Sequence, residues 1–127
     1  MAEQKVTRES YFSEYEKHVF DAIYSRRSIR TYLDKEVEHE KIEKLLKAAM
    51  AAPSACNIQP WEFVVITDKA LIQDIKNSIK QYSQYNAPLV IVVCGNPEFI
   101  PWEGDTGIID CCAAIENMLL AATAIGL

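Results

Sequence analysis

Three arginines and a serine, Arg26, Arg27, Ser28 and Arg30, stand within five residues of a chain that otherwise carries more acid than base. A guanidinium presents a planar fork of donors that matches phosphate oxygens, and a neighbouring hydroxyl adds another donor, so this cluster could hold a dianionic phosphate. Composition alone equally allows arginines that pair with surface carboxylates or stay solvated, which is the commoner fate of such a run. A second segment, Pro53-Ser54-Ala55-Cys56-Asn57-Ile58-Gln59-Pro60-Trp61, is turn chemistry from end to end. Prolines flanking small polar residues build many surface turns, and two turns leading into a strand are enough to explain it.

Other reactive side chains supply no second candidate. Cys56, Cys94, Cys111 and Cys112 make no C-x-x-C pair and stand at no zinc-ligand spacing from His18 or His39, so no metal site is expected. Reduced thiols in a core are the default, and the adjacent Cys111 and Cys112 point to different faces of any helix. Cys56 is the exception, because it sits in the turn-rich loop. A surface or capping role is the default for His18 and His39.

The elements that must position these groups follow from periodicity. Residues 11–24 place Phe12, Tyr15, Val19, Phe20 and Ile23 on one helical stripe. An irregular connection follows, and residues 39–52 repeat the pattern with Ile42, Leu45, Leu46 and Ala49 until Pro53 stops it. A strand is predicted over residues 61–67. Thr67 and Asp68 can cap the next helix, whose predicted buried face is Leu71, Ile72, Ile75 and Ile79. A second strand, residues 89–94, is continuously apolar and suits a central position covered on both faces. Residues 99–106, with Trp102 between Pro101 and Glu103, could line a substrate mouth or simply pack. Residues 108–127 are almost uniformly apolar, but Asp110, Glu116 and Asn117 favour a buried helix over a membrane span.

Half of the 127 residues are hydrophobic, which supports one domain around a real core, of α/β or α+β class, with residues 1–10 as a flexible tail. The net charge of -5 argues against nucleic acid as a partner. The first residues do not read as a signal peptide, so a cytoplasmic protein with no membrane partner is expected.

The order of these pieces is more specific than any one of them. RRSIR, a helix ending in Ala-Ala-Pro-Ser, Asn-x-Gln-Pro-Trp, an apolar strand, Ala87-Pro88 before the second strand and DCCAAIENMLLAATAIGL occur in succession. Over residues 19–127 the chain resembles the nitroreductase family, the last segment being similar to that family's long central helix with Asp110, Asn117, Ala124, Gly126 and Leu127.

The resemblance implies a three-layer α+β fold with a central, mostly antiparallel sheet flanked by helices, and a homodimer with FMN at the subunit interface. It places Arg26, Arg27 and Ser28 at the FMN phosphate and Arg30 near the flavin pyrimidine, where a cation would stabilise the charge that a reduced flavin gathers. Pro53, Ser54, Ala55 and Asn57 match the loop that one subunit lays along its partner's isoalloxazine ring, with Gln59 in support. The implied reaction is ping-pong hydride transfer from NADH or NADPH through FMN to a small acceptor such as a nitroaromatic or a quinone. Because the flavin carries that chemistry, no catalytic side chain is expected. Reductive dehalogenases and a flavin-fragmenting enzyme share the superfamily but use substrate lids, and nothing in this sequence marks one.

Family members continue beyond Ala-x-Gly-Leu with a further strand and helix that supply backbone donors near flavin N5. The 127 residues are therefore expected to be a fragment of a longer protein, with a flavin-binding or dimerisation module of little turnover as the alternative function.

Overall fold

The computed structural model describes residues 18–79, 86–100 and 104–127. The elements, in order, are helix α1 over residues 18–25, α2 at His39–Met50, β1 at Trp61–Ile66, α3 at Lys69–Ser78, β2 at Val90–Gly95 and α4 at Thr106–Ala124, with single 3-10 turns at Ala55–Asn57 and Pro97–Phe99. Helices and an antiparallel pair of strands make the class α+β. The helix expected over residues 11–24 lies partly outside the described residues, as do Pro101, Trp102 and Glu103.

Helix α2 forms as its apolar spacing requires, with Ile42, Leu45 and Ala49 buried. No side chain caps its N-terminus. Glu38, just before the first turn, instead meets Lys35 Nζ at 3.2 Å and Lys41 Nζ at 3.3 Å. Its own backbone N–H first, and then the two lysines, lower its carboxyl from 4.5 to about 2. A depressed folded-state pKa stabilises the fold above the ordinary value, and that contribution is lost as pH falls through the folded one. The α2 start should therefore loosen between pH 4.5 and about 2. An NMR titration should place the Glu38 midpoint near 2, and Glu38→Gln should remove this share of the acid response. A midpoint at the ordinary 4.5 would contradict it.

Asp68 caps α3 by accepting from the Leu71 N–H at 2.8 Å. Of the four residues predicted for the buried face of this helix, Ile72 is buried, Ile75 half-buried, and Leu71 and Ile79 exposed.

Strands β1 and β2 pair antiparallel, with Trp61 opposite Gly95, Phe63 opposite Val93 and Ile66 opposite Val90. Side chains alternate faces along a strand. Trp61, Phe63 and Val93 turn inward to Ala49, Ala52, Cys111 and Ala114. Ala49 and Ala114 have no exposed surface at all, so α2 and α4 approach through methyl groups. The opposite face is covered at its Ile66 end and open elsewhere: Ile66 is 8%, Val64 50% and Val92 38% exposed, and Cys94 is exposed. The expectation that residues 89–94 form a strand covered on both faces is thus corrected for this chain, because Val92 and Cys94 stay exposed on the face away from the Trp61 cluster.

Helix α4 buries Gly107, Asp110, Cys111 and Ala114, while Ile108 and Ile109 stay about two-thirds exposed. It is long and apolar enough to cross a membrane by length and composition. The expected burial applies to one stripe only. A side chain on Gly107 would run into Ile100, so this glycine lets the 97–100 turn close onto the helix. The helix ends in a Schellman motif: Gly126, at φ 74, donates to Thr123 O at 3.3 Å, and Leu127 N donates to Ala122 O at 3.0 Å. That left-handed φ is why glycine stands there.

Candidate functional site

The arginine segment leaves α1 without regular structure. Arg26 is half-buried, and Arg27, Ser28 and Arg30 are exposed. Arg26 Nε lies 3.9 Å from Glu116 Oε1 on α4. Arg27 donates through Nη1 to the carbonyls of Tyr24 and Arg26, both at 2.7 Å, and Arg30 donates to Ser28 O at 3.2 Å. Among the described residues, neither Arg27 nor Arg30 has a carboxylate within ion-pair distance. In a net acidic chain these two cations remain available to an external anion. The solvated alternative allowed by composition describes them as they stand, and the paired alternative describes Arg26.

The 53–59 loop is a built structure. Ser54 Oγ accepts from Gln59 N at 2.9 Å, Gln59 Nε2 donates to Asn57 Oδ1 at 3.3 Å, and Asn57 N donates to Ser54 O at 3.0 Å. Cys56, Asn57 and Gln59 all have left-handed backbones, at φ 51, 56 and 53. For a residue with a Cβ that conformation costs about 1–2 kcal/mol, so three of them persist only where the surroundings hold them. Fully buried Pro60 closes the loop, its carbonyl accepting from Asn96 N at 2.7 Å. Asn96 Nδ2 also donates to Glu62 Oε1 at 2.9 Å, tying the loop exit to the end of β2.

On the other side the loop is fastened to α4. Both carboxylate oxygens of Asp110 accept from Ala55 N, at 3.1 and 3.2 Å. Between the loop and the first half of α4 lies an open cleft of about 310 Å³ lined by Pro53, Ser54, Ala55, Thr106, Ile109 and Asp110, among others. A second cleft, of about 410 Å³, opens between β2 and α4 and is mostly apolar, with Val93, Ile100, Cys111 and Ile115 in its walls. Burial, first, and then the neighbouring Asp110 push the Cys111 thiol up, so it stays protonated. Cys56 is exposed on the loop.

The predicted site residues thus fall into two groups. Ser54, Ala55, Asn57 and Gln59 are joined in one bonded loop beside exposed Pro53. Arg26, Arg27, Ser28 and Arg30 form a separate exposed segment and line neither cleft. The two groups reach α4 at Asp110 and Glu116, six residues apart, which is roughly 9 Å along the axis and a third of a turn around it. Neither acid was singled out above as a site residue. The available signal was the isolation of both acids in an otherwise apolar helix.

The description "Nitroreductase family" matches residues 23–86, half of the chain. An Archaeoglobus fulgidus protein that carries the provisional name NADH dehydrogenase/NAD(P)H nitroreductase is 46% identical over 107 residues, covering 83% of this chain and 61% of that protein. The chain therefore spans about three-fifths of this relative's length. An FMN-dependent nitroreductase from Clostridium difficile is similar in structure, with a TM-score of 0.74 and 36% identity over 84% of this chain and 61% of that one. A nitroreductase with bound FMN from Desulfitobacterium hafniense superposes at a TM-score of 0.73, with 26% identity over 86% of this chain and 66% of its own. Motif order, α+β architecture and a structured loop between α2 and β1 agree with these likenesses: the chain belongs to the nitroreductase family.

Proposed function

We propose that this chain carries the FMN-binding part of an NAD(P)H-dependent oxidoreductase that delivers hydride equivalents to a small acceptor such as a nitroaromatic or a quinone by a ping-pong mechanism. The observation that carries this reading is the pair of exposed guanidiniums on Arg27 and Arg30, which have no carboxylate partner among the described residues of a chain of net charge -5. They fit a terminal phosphate and an electron-rich ring edge. The names of the Clostridium and Desulfitobacterium proteins, which specify FMN, support the same choice.

In this reading Arg26, Arg27 and Ser28 hold the phosphate and Arg30 stabilises negative charge at the pyrimidine edge. Pro53, Ser54, Ala55 and Asn57 wall the ring of a partner subunit, and Gln59 keeps that loop in shape. When bound, FMN supplies the hydride acceptance from NADH or NADPH and its onward transfer. The protein contributes position and field, which are the large terms when a cofactor carries the chemistry.

A cytoplasmic homodimer completes the reading, with residues 1–127 as one domain. Ile108 and Ile109 on α4 and Val19, Phe20 and Ile23 on α1 are large apolar side chains left exposed, which a partner subunit would cover. An obligate pair would bury at least about 2,000 Å² in total.

FMN rather than FAD is expected as the flavin, because the chain has no G-x-G-x-x-G turn for a dinucleotide pyrophosphate. Heat release from purified protein followed by chromatography should recover FMN, and NADH or NADPH should bleach the flavin bands beforehand. Recovery of mainly FAD would overturn the cofactor assignment, and bands that neither nucleotide bleaches would overturn the activity.

A further inference from the structure

Asp110 is the buried charged side chain among the described residues, at 7% exposure. A carboxylate removed from water is costly unless hydrogen bonds replace its hydration. Here both of its oxygens are turned to one N–H, that of Ala55. Seven residues later and on nearly the same helical face, Asn117 Nδ2 donates to Ala48 O at 3.2 Å. The two side chains have opposite hydrogen-bonding character. Between Ala48 and Ala55 the chain leaves α2, turns at Pro53 and enters the left-handed loop. Helix α4 therefore grips this segment by a carbonyl before the turn and an N–H after it.

We infer that Asp110 is a positioning residue for the 53–59 loop. By holding Ala55 N–H, its carboxylate offsets the left-handed backbone at Cys56, Asn57 and Gln59 and keeps Ser54 and Asn57 in the arrangement that meets the flavin. This role rests on the flavin reading above. Asp110 acts through the loop backbone, and Asn117 secures the end of α2 from the same stripe. The division of labour is chemical: an aspartate can accept from Ala55 N–H but cannot donate to Ala48 O, and the asparagine amide supplies that donor.

Two variants test it. Asp110→Leu is close in size and accepts no hydrogen bond, while Asp110→Asn keeps an acceptor oxygen without the charge. Amide exchange at Ala55, followed by NMR in the chain free of flavin, reads the anchor, and titration with FMN, with the visible spectrum of the bound flavin, reads its consequence. In Asp110→Leu the Ala55 amide should exchange at least about 100-fold faster while the α2 and α4 amides keep their protection. FMN binding should weaken by about 10- to 100-fold. Asp110→Asn should return both to within about tenfold of the parent, a rescue that lost packing would not show.

Unchanged Ala55 exchange in Asp110→Leu would overturn the inference, as would parental FMN affinity there. If the leucine variant does not fold, Asp110→Ala, which also lacks an acceptor, decides: faster Ala55 exchange with weaker FMN binding supports the anchor, and parental values in both overturn it. A parent chain that fails to bind FMN would sink the flavin reading separately, and the Ala55 exchange would still decide whether Asp110 holds the loop.

Discussion

Arg26→Ala is expected to weaken FMN binding by roughly 10- to 100-fold while changing the stability of the folded chain by less than about 1 kcal/mol. The two magnitudes differ because the ion pair that the side chain makes in the fold and the phosphate contact proposed for it are of different strength. Its ion pair with Glu116 is long, at 3.9 Å, and the side chains are 32% and 57% exposed. Pairs of that kind contribute about 0–1 kcal/mol, since water and salt screen them. A charge-assisted bond to a phosphate oxygen is worth about 1.5–3 kcal/mol, and each 1.4 kcal/mol is a factor of ten in affinity. Flavin-fluorescence titration and thermal denaturation of the same preparations check both halves. Glu116→Ala is the informative companion: it frees Arg26, so FMN affinity should hold or improve. Parental affinity in Arg26→Ala would move the phosphate site elsewhere. A large fall in melting temperature would make this arginine a structural residue.

Trp61→Ala is expected to destabilise the chain by about 3–5 kcal/mol, a large share of the roughly 5–15 kcal/mol that holds a domain of this size together. The indole is 8% exposed and packs in the cluster of Ala49, Ala52, Cys111 and Ala114. Its buried neighbours are the small side chains of Ala49, Ala52, Cys111 and Ala114, with α2 and α4 already in close approach, so they cannot collapse far into the space it leaves. Trp61 also stands opposite Gly95 at the first pair of the sheet and directly after buried Pro60. Losing it should loosen the exit of the 53–59 loop along with the core. Urea unfolding should show a much lower midpoint for Trp61→Ala, and Trp61→Phe should recover most of it. A loss under about 1 kcal/mol would mean that the α2 and α4 alanines, without the indole, hold the layers together.

The exposed stripes shape the oligomer argument. In α4 the residues that reach the core, Gly107, Asp110, Cys111 and Ala114, recur at helical spacing, yet Ile108 and Ile109 between them are equally apolar and face outward. Hydrophobicity along this helix has almost no preferred side, so periodicity could say that the helix is apolar and not which face it buries. The contrast with α2 is instructive. There the lysines and glutamates between Ile42, Leu45 and Ala49 mark the buried face unambiguously.

Local signals accordingly settled much of the architecture. The apolar spacing of α2, the Asp68 cap of α3, the apolar runs of both strands, the stop at Pro53 and the glycine after α4 act within one or two turns of chain, where propensity and capping energies operate. The ordered motifs from Arg26 to Leu127 were enough to point to the family. Beyond the reach of those signals were the antiparallel pairing of β1 with β2, the uneven cover of the sheet's two faces, and the fastening of the loop. Ala55 meets Asp110 across 55 residues of sequence, and Ala48 meets Asn117 across 69. The left-handed backbones of Cys56 and Gln59 were equally out of reach, because a residue with a Cβ other than Asn seldom adopts that conformation. The sequence determined which segments would be helix, strand and turn and which family they compose; the tertiary structure alone decided what grips the loop, since a buried carboxylate finds its partner only after two distant elements have packed.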